Sequence, residues 1–590
     1  MTNYSRGLCG TVLFLTAARL ASAATPANAY LVHNLTADQP GIADFTDPNL
    51  VNPWGIVTTA TSPFWVADGG TGLSTVYSGN GAPSATKPSV PPSAKGTPPS
   101  TPTGIVANAT GGFLVQGKAP SFIFVTADGT VSGWASSVSA TQAQLMVDNS
   151  GAGAMYYGLA ISATATNAAP LLYTANFASG NIDIFDTNYK PVAMPGAFVD
   201  PSVPAGYAPF NIQNLGGNFY VMYAKQNAPK TFATLGAGLG YVAVFNLSGG
   251  LVKHLASNGP LNAPWGVAIA PSTFGAFAND VLIGNFGDGT INAFDPNTGN
   301  ALGSLKDQNG NTIAYPGLWG LILGNGGSGG DANAIYLLAG GAGQNHGILA
   351  SIQASPTIAS VSNAADIQSG IAMNSYISVY GSDLAPITRN WTFSDFSGAK
   401  LPTSLDGVSV TVNGNAAFVY YISPKQIDVL TPVDTTTGPV QVVVTDNGLV
   451  SNSISAAMQA FSPAFFLLKD NVSIAALHSN GAIVGATTLY AGLSTPAVSG
   501  ETIGLYGTGF GQTNPAISSG TIVTTPQTCA TTPTVTVGGA SAQVTYCGLV
   551  AAGLYQVNVT IPAGTPSGNN VVVISFGTVS SNSNAMITVQ

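Results

Sequence analysis

The chain has 590 residues, of which only 6% are charged, and its 23 acidic against 14 basic side chains leave a net charge of −9. The charges form no runs, so no basic stripe is present to hold a phosphate backbone and no polybasic segment to hold an anionic membrane surface; the composition argues against nucleic acid as a partner. The length exceeds what one hydrophobic core fills, and 72 glycines with 38 prolines suit an all-β chain of several domains.

The chain opens with Arg6, an apolar run over residues 8–18 and Ala21-Ser22-Ala23. This pattern predicts a signal peptide over 1–23, cleaved near Ala24, and hence a secreted, extracellular or periplasmic protein. Cys9 lies inside the run and is expected to be lost. No other segment approaches eighteen apolar residues, so no membrane span is expected in the mature chain. Cys529 and Cys547 remain, and export permits a disulfide between them; two free buried thiols are the other reading.

From residue 27 to 353 a phrase recurs in which an aromatic or small residue precedes glycine and an apolar strand. It appears as Trp54-Gly55-Ile56, Thr103-Gly104-Ile105, Tyr157-Gly158-Leu159, Phe210-Asn211-Ile212, Trp265-Gly266-Val267 and Trp319-Gly320-Leu321, with the second positions 49 to 55 residues apart. Each period holds a hairpin such as "FIFVTADGTVSGWAS" or "VLIGNFGDGTINAFD", strand formers flanking turn residues that tolerate positive φ. The fourth copy carries the insertion "KQNAPKTFATLGAGLG". A period near fifty residues with three or four strands per copy predicts a six-bladed β-propeller. Its seam should be sealed by "AYLVHNLTAD" at 29–38, pairing with the last blade. The glycine fits where strands crowd the axis, and the aromatic packs at the blade rim.

At "ASPTIASVSNAAD" the pattern changes. "SYISVYGSDLAP" at 375–386 matches "ETIGLYGTGFGQ" at 501–512, and alternating strands with turns every 8 to 12 residues follow both. Two Ig-like β-sandwich domains are expected, over 354–465 and 466–590. Cys529 precedes the strand "TPTVTV" and Cys547 ends the next, close enough for a local clip.

On its "DPNLVNPWG" opening, the front part resembles an uncharacterised family of exported bacterial β-propellers, and more distantly NHL-repeat and streptogramin-lyase-like propellers. The tail, through "VYGSDL", "SVTVNG" and "YQVNV", resembles the IPT/TIG-like Ig domains of secreted bacterial proteins. These resemblances imply fold and location rather than a reaction.

Chemistry-bearing residues are sparse. The four histidines, His33, His254, His346 and His478, fall at no metal-ligand spacing, and a lone histidine is usually structural. No Gly-x-Ser-x-Gly elbow opens a helix, and "GNGGSGGDANA" lacks the lysine of a phosphate cradle. Asp38, Asp44, Asp47 and Asp288 make a bound Ca2+ conceivable, although Asx turns explain them as well; otherwise no cofactor is expected. Asp68, Asp128, Asn176 and Asn285 recur at the same hairpin turn, which marks them as blade residues.

The most suggestive constellation is Trp54, Tyr157, Phe210, Trp265 and Trp319, expected around one end of a central channel, where flat aromatic faces suit sugars. Packing between sheets is the competing reading. Asn52 and Asn262, just ahead of two of the tryptophans, are their polar companions. The chain is expected to be a binding or scaffold protein for an extracellular polymer, glycan or protein, with the Ig-like pair as spacers. The rival is a lyase or hydrolase working in the channel with a bound divalent ion.

Overall fold

The computed structural model describes residues 28–162, 169–366, 368–518 and 520–590. The signal-peptide reading of 1–23, with Arg6, Cys9 and Ala24, lies outside them. The described chain is all-β, with helical structure confined to three-residue 3-10 turns. It divides into one unit over Asn28–Ala354 and another that contains Ser355–Gln590.

The first unit is a succession of small antiparallel sheets. Strands β1 (Tyr30–Ala37) and β2 (Phe45–Thr46) precede a three-stranded sheet of β3 (Pro53–Val57), β4 (Phe64–Asp68) and β5 (Leu73–Tyr77). A four-stranded sheet follows, of β6 (Pro102–Ala107), β7 (Phe122–Thr126), β8 (Thr130–Trp134) and β9 (Gln144–Asp148). The next has three strands, β10 (Tyr156–Ile161), β11 (Leu172–Asn176) and β12 (Asn181–Phe185). Two four-stranded sheets come after it. One is β13 (Tyr207–Leu215), β14 (Asn218–Lys225), β15 (Gly240–Asn246) and β16 (Leu251–Ser257); the other is β17 (Pro264–Ile269), β18 (Val281–Asn285), β19 (Ile291–Phe294) and β20 (Ala301–Ser304). The last holds β21 (Leu318–Leu323), β22 (Ile335–Ala339) and β23 (Ile348–Ala354), and β1 returns to pair antiparallel with β23, from Tyr30 opposite Ala354 to Ala37 opposite Ile348. The 29–38 segment thus adds to the last sheet, as expected of a segment that seals the seam. The hairpin turns place Gly129, Gly180 and Gly289 at φ of 75–80°, where a side chain would be strained.

The first strand of each sheet touches that of the next: β3 meets β6, then β10, β13, β17 and β21 in turn, and β21 meets β3. The recurring glycine makes these approaches possible. A Cβ on Gly55 would sit 2.7 Å from the Thr103 carbonyl, one on Gly104 2.8 Å from Leu159, and one on Gly320 2.7 Å from the Trp54 carbonyl. Gly158 and Gly266 press on Asn211 and Trp319 in the same way. The fourth copy has Asn211 instead, and its Nδ2 donates to the Trp265 carbonyl at 2.8 Å, so a side-chain bond replaces backbone proximity. Between consecutive sheets lie apolar cores. Trp65, Ile105 and Phe122 fill one, Tyr173, Ile212 and Phe245 another, and Phe64, Ile56 and Tyr336 lie between the last sheet and the first. Each such aromatic contributes about 1.5–3 kcal/mol by its burial.

In the second unit, a sheet containing Thr357–Asn363, Tyr376–Ser382 and Gln426–Leu430 shares a core with one built on Val408–Val412, Gly438–Asp446 and Ile454–Gln459. Burial alternates along Val408–Val412 and Gly438–Asp446, which puts Val410 and Val442 inside, whereas Tyr376–Ser382 and Gln426–Leu430, carrying Val379 and Val429, are buried almost throughout. A further core forms around Leu505, Val557, Val572 and Ile574. There the twelve-residue strand Ala540–Ala551 pairs with Thr534–Val537 through its start and with Leu554–Thr560 through the rest, where two bulges, between Val544 and Tyr546 and between Leu549 and Ala551, bend it. Cys529 and Cys547 form a disulfide with their Cα atoms 5.4 Å apart, fastening Gln527–Cys529 to that strand.

Candidate functional site

The blade-start aromatics do not line an open ring. Because each stands where first strands converge, their side chains meet in a single buried cluster with Phe177 and Phe286. Trp54 stacks on Trp319, and Trp319 stacks in turn on Phe286 at 4.1 Å. Trp265 meets both Trp54 and Trp319 edge-on, at 6.1 and 5.7 Å. Tyr157 lies 5.3 Å from Trp54 and meets Phe210 edge-on at 5.7 Å. All five expected residues are at most 4% exposed. The offset and edge-to-face geometries are those in which ring quadrupoles attract.

Sequence reasoning missed the residue that covers this cluster. The insertion of the fourth copy delivers Phe232, partly exposed, within about 6 Å of five rings, those of Trp54, Tyr157, Phe210, Phe286 and Trp319. Asn227 Oδ1 accepts the Thr231 and Phe232 amides at 2.9 and 3.2 Å, and the Tyr157 hydroxyl donates to the Thr231 carbonyl. Burial pushes that hydroxyl well above the usual tyrosine range. The only signal in the sequence was the length of the insertion.

Asn52 and Asn262 adjoin this cluster as clamps. Asn52 Oδ1 accepts the Trp319 indole N–H at 3.2 Å. Asn262 Oδ1 accepts the Gly236 amide at 2.8 Å, which ties down the far side of the insertion, and its Nδ2 donates to Asp288 at 3.0 Å. They are not equivalent positions. Asn52 and Ala263 share the left-handed backbone, φ 48° and 46°, and their carbonyls accept from Gly69 and Phe286 respectively, so Asn262 corresponds to Val51. The Trp265 N–H donates to the Tyr157 carbonyl at 3.1 Å, whereas the buried Trp54 N–H has no partner among the described residues.

The acids are dispersed rather than convergent. Asp47 accepts from Tyr77 and Asn49, and Asp288 accepts from Thr290 and Asn262. Asp68 is fully buried and accepts from the Thr75 amide and hydroxyl; burial raises its pKa well above the ordinary value. The hairpin-turn reading needs one adjustment. Asp68, Asn176 and Asn285 close their strands at one register, which Thr126 fills in the second sheet, while Asp128 lies two residues on and accepts the Thr101 amide at 3.0 Å. Each histidine, unassigned by spacing, pairs with one carboxylate: His33 with Asp44, His254 with Asp200, His346 with Asp38 and His478 with Glu501. Among the described residues no group of three or more histidine, cysteine or acidic side chains is placed to hold a metal ion.

No family model matches the chain. It is 36% identical over 304 residues to the uncharacterized protein R648 of Acanthamoeba polyphaga mimivirus, an alignment spanning 50% of this chain and 72% of that protein. Against the uncharacterized protein L690 of the same virus it is 33% identical over 300 residues, spanning 49% and 78%. The chain belongs to the family of these viral proteins. Membership in that family assigns kinship and not a reaction. Among solved structures the chain is similar to propeller-like folds. A streptogramin B lyase shows 9% identity and a TM-score of 0.33 over 55% of this chain and 97% of that one. A virginiamycin B lyase from Staphylococcus aureus shows 12% and 0.31 over 55% and 99%. No helix among the described residues is long and apolar enough to cross a membrane.

Proposed function

We propose that this member of the family is an exported, non-enzymatic binding or scaffold protein. Its Asn28–Ala354 unit is read as a six-bladed β-propeller that recognises an extracellular polymer, glycan or protein, with the residues after 354 as two Ig-like spacers. The cyclic contacts of first strands, β21 returning to β3, and the pairing of β1 with β23 support the propeller reading. The repeated strand pattern of 375–386 and 501–512, each over its own core, supports the spacers.

The observation that carries the binding reading is the aromatic cluster capped by Phe232. Where five first strands bring aromatics together the rings bury one another, so on this reading a ligand meets the surface around Phe232 rather than the ring faces. Asn52 and Asn262, nearly buried, set that surface's shape through Trp319 and the insertion. The purified mature chain is to be presented to arrays of glycans, polysaccharides and envelope proteins. Saturable binding that Phe232→Ala weakens is the expected result. Indifference to every surface, with turnover of a small substrate and a stoichiometric tightly held divalent ion, would replace this reading by the channel enzyme.

A further inference from the structure

We propose that Asn246 is an attachment site for an N-linked glycan, its side-chain amide taking up an oligosaccharide carried on a lipid diphosphate. The triplet Asn-x-Ser/Thr, which an oligosaccharyltransferase reads through the carboxamide and the hydroxyl two residues on, occurs among the described residues at Asn34, Asn108, Asn246, Asn390, Asn471 and Asn558. An acceptor site must present both groups unengaged at the surface, and five of the six do not. Asn34 Nδ2 donates to the Ile42 carbonyl while its Oδ1 accepts the Tyr315 hydroxyl. Asn108 Nδ2 donates to the Gly112 and Pro120 carbonyls, and its Oδ1 holds the Thr110 hydroxyl. The Thr392 hydroxyl donates to Asp395, and that of the buried Ser473 to Asp470, which closes the triplets of Asn390 and Asn471. Asn558 lies inside Leu554–Thr560, paired with a strand on each side, and the Thr560 hydroxyl is bonded to that of Thr502.

Asn246 presents both groups. It ends β15, and both it and Ser248 are exposed. The turn into β16 explains why they stand free. Asn246 Oδ1 accepts the Ser248 and Gly250 amides, each at 2.9 Å, an Asx turn that folds Ser248 back beside the carboxamide and fixes its plane. Oδ1 makes every bond that holds the side chain, so neither Nδ2 nor the Ser248 hydroxyl has a partner among the described residues. Gly250 leaves Nδ2 uncovered, because a Cβ there would sit 2.9 Å from it. The two bonds to Oδ1 also polarise the amide and make its own N–H groups more acidic. In the transfer Nδ2 bonds to the anomeric carbon, the bond from that carbon to the diphosphate oxygen breaks, the lipid diphosphate leaves, and the Nδ2 proton passes to a base of the transferase. The Phe232 insertion joins the opposite ends of β14 and β15, about 20 Å away along a strand of this length, so a glycan on Asn246 leaves the surface over the aromatic cluster clear.

The inference rests on the export reading for its setting, and the two fail separately: recovery of the chain outside the cells that make it tests export, whereas the transfer itself is read on purified protein. The folded mature chain is incubated with a purified oligosaccharyltransferase that reads the bare Asn-x-Ser/Thr triplet and with a polyprenyl-diphosphate-linked oligosaccharide, and glycopeptides are mapped by mass spectrometry. Transfer to Asn246 is expected, with Asn34, Asn108, Asn390 and Asn558 left bare. Ser248→Ala should abolish it while keeping the turn, because the bond to Oδ1 comes from the backbone amide, and Ser248→Thr should retain it. Short peptides spanning the other triplets, which have no fold to engage them, should accept the oligosaccharide. No transfer to Asn246 overturns the proposal, and so does transfer undiminished in Ser248→Ala. Transfer to the other sites of the folded chain as readily as to Asn246, or silence of their free peptides, would take the selection away from the fold and likewise overturn it.

Discussion

The indole of Trp54 lies face to face on that of Trp319, ring centroids 3.4 Å apart and planes 17° from parallel, although 265 residues separate them in the chain. One ring belongs to β3 and the other to β21, so the contact joins the first and last inner strands. Trp319→Ala removes a wholly buried side chain and is expected to cost about 3–5 kcal/mol. Trp54→Ala should cost a similar amount, and the double variant less than the sum by roughly 1 kcal/mol, since the two share one contact. Guanidinium unfolding followed by tryptophan emission measures this. Additive losses would mean that the rings act independently.

Gly320 presses on the same place from the backbone side. A methyl group there would lie 2.7 Å from the Trp54 carbonyl, which cannot recede because it belongs to an inner strand. Gly320→Ala should therefore destabilise by about 1–3 kcal/mol, although alanine is ordinarily the better strand residue. Gly151, whose Cβ would meet nothing within 4 Å, is the matched control and should stay within about 0.5 kcal/mol. Equal effects at the two sites would remove crowding as the reason for the repeat.

The aromatic-glycine phrase was legible because its cause is local and repeated: wherever first strands crowd, a side chain is excluded at one position. The direction of the aromatics was not. Position at a strand start does not say whether a ring turns to solvent or to its fellows, and that choice depends on five strands separated by hundreds of residues. Phe232 was hidden for a related reason, since an insertion has no counterpart in the other copies with which to compare it. The carboxylate partners of the histidines escaped because pairs such as His346 and Asp38, 308 residues apart, exist only once β1 lies beside β23. By contrast the Cys529–Cys547 bridge could be anticipated, the two residues standing on neighbouring strands 18 residues apart.

That bridge closes a loop of 18 residues. On the chain-entropy account such a loop contributes about 3 kcal/mol by restricting the unfolded ensemble. The double variant Cys529→Ser with Cys547→Ser should lower the unfolding midpoint of the Ser355–Gln590 part and leave the tryptophan-rich Asn28–Ala354 transition in place. Calorimetry with and without a reducing agent checks this: reductant should shift the wild-type midpoint to that of the variant and leave the variant unmoved.

Asp428 sets the pH response of the same part of the chain. Its carboxyl is buried on Gln426–Leu430, where Ser378 Oγ and Gln426 Nε2 donate to Oδ1 at 2.6 and 2.8 Å, and burial outweighs both bonds to push its pKa up to about 6. A carboxyl whose folded pKa exceeds its unfolded value of 3.8 favours the fold while protonated. That contribution is complete below about pH 4 and is lost as pH rises through about 6, a change of up to about 3 kcal/mol. Asp395, Asp406 and Asp434 oppose it: Arg389 holds the first two low and Asn413 the third, so their stabilisation is lost as pH falls below the ordinary carboxylate range. Comparison with Asp428→Asn isolates the single group. The variant should be nearly as stable as the wild type at pH 4 and more stable at pH 7, with the gap opening between pH 4 and 6. A gap that stays constant across that interval would show that Asp428 titrates in the fold as it does in the unfolded chain.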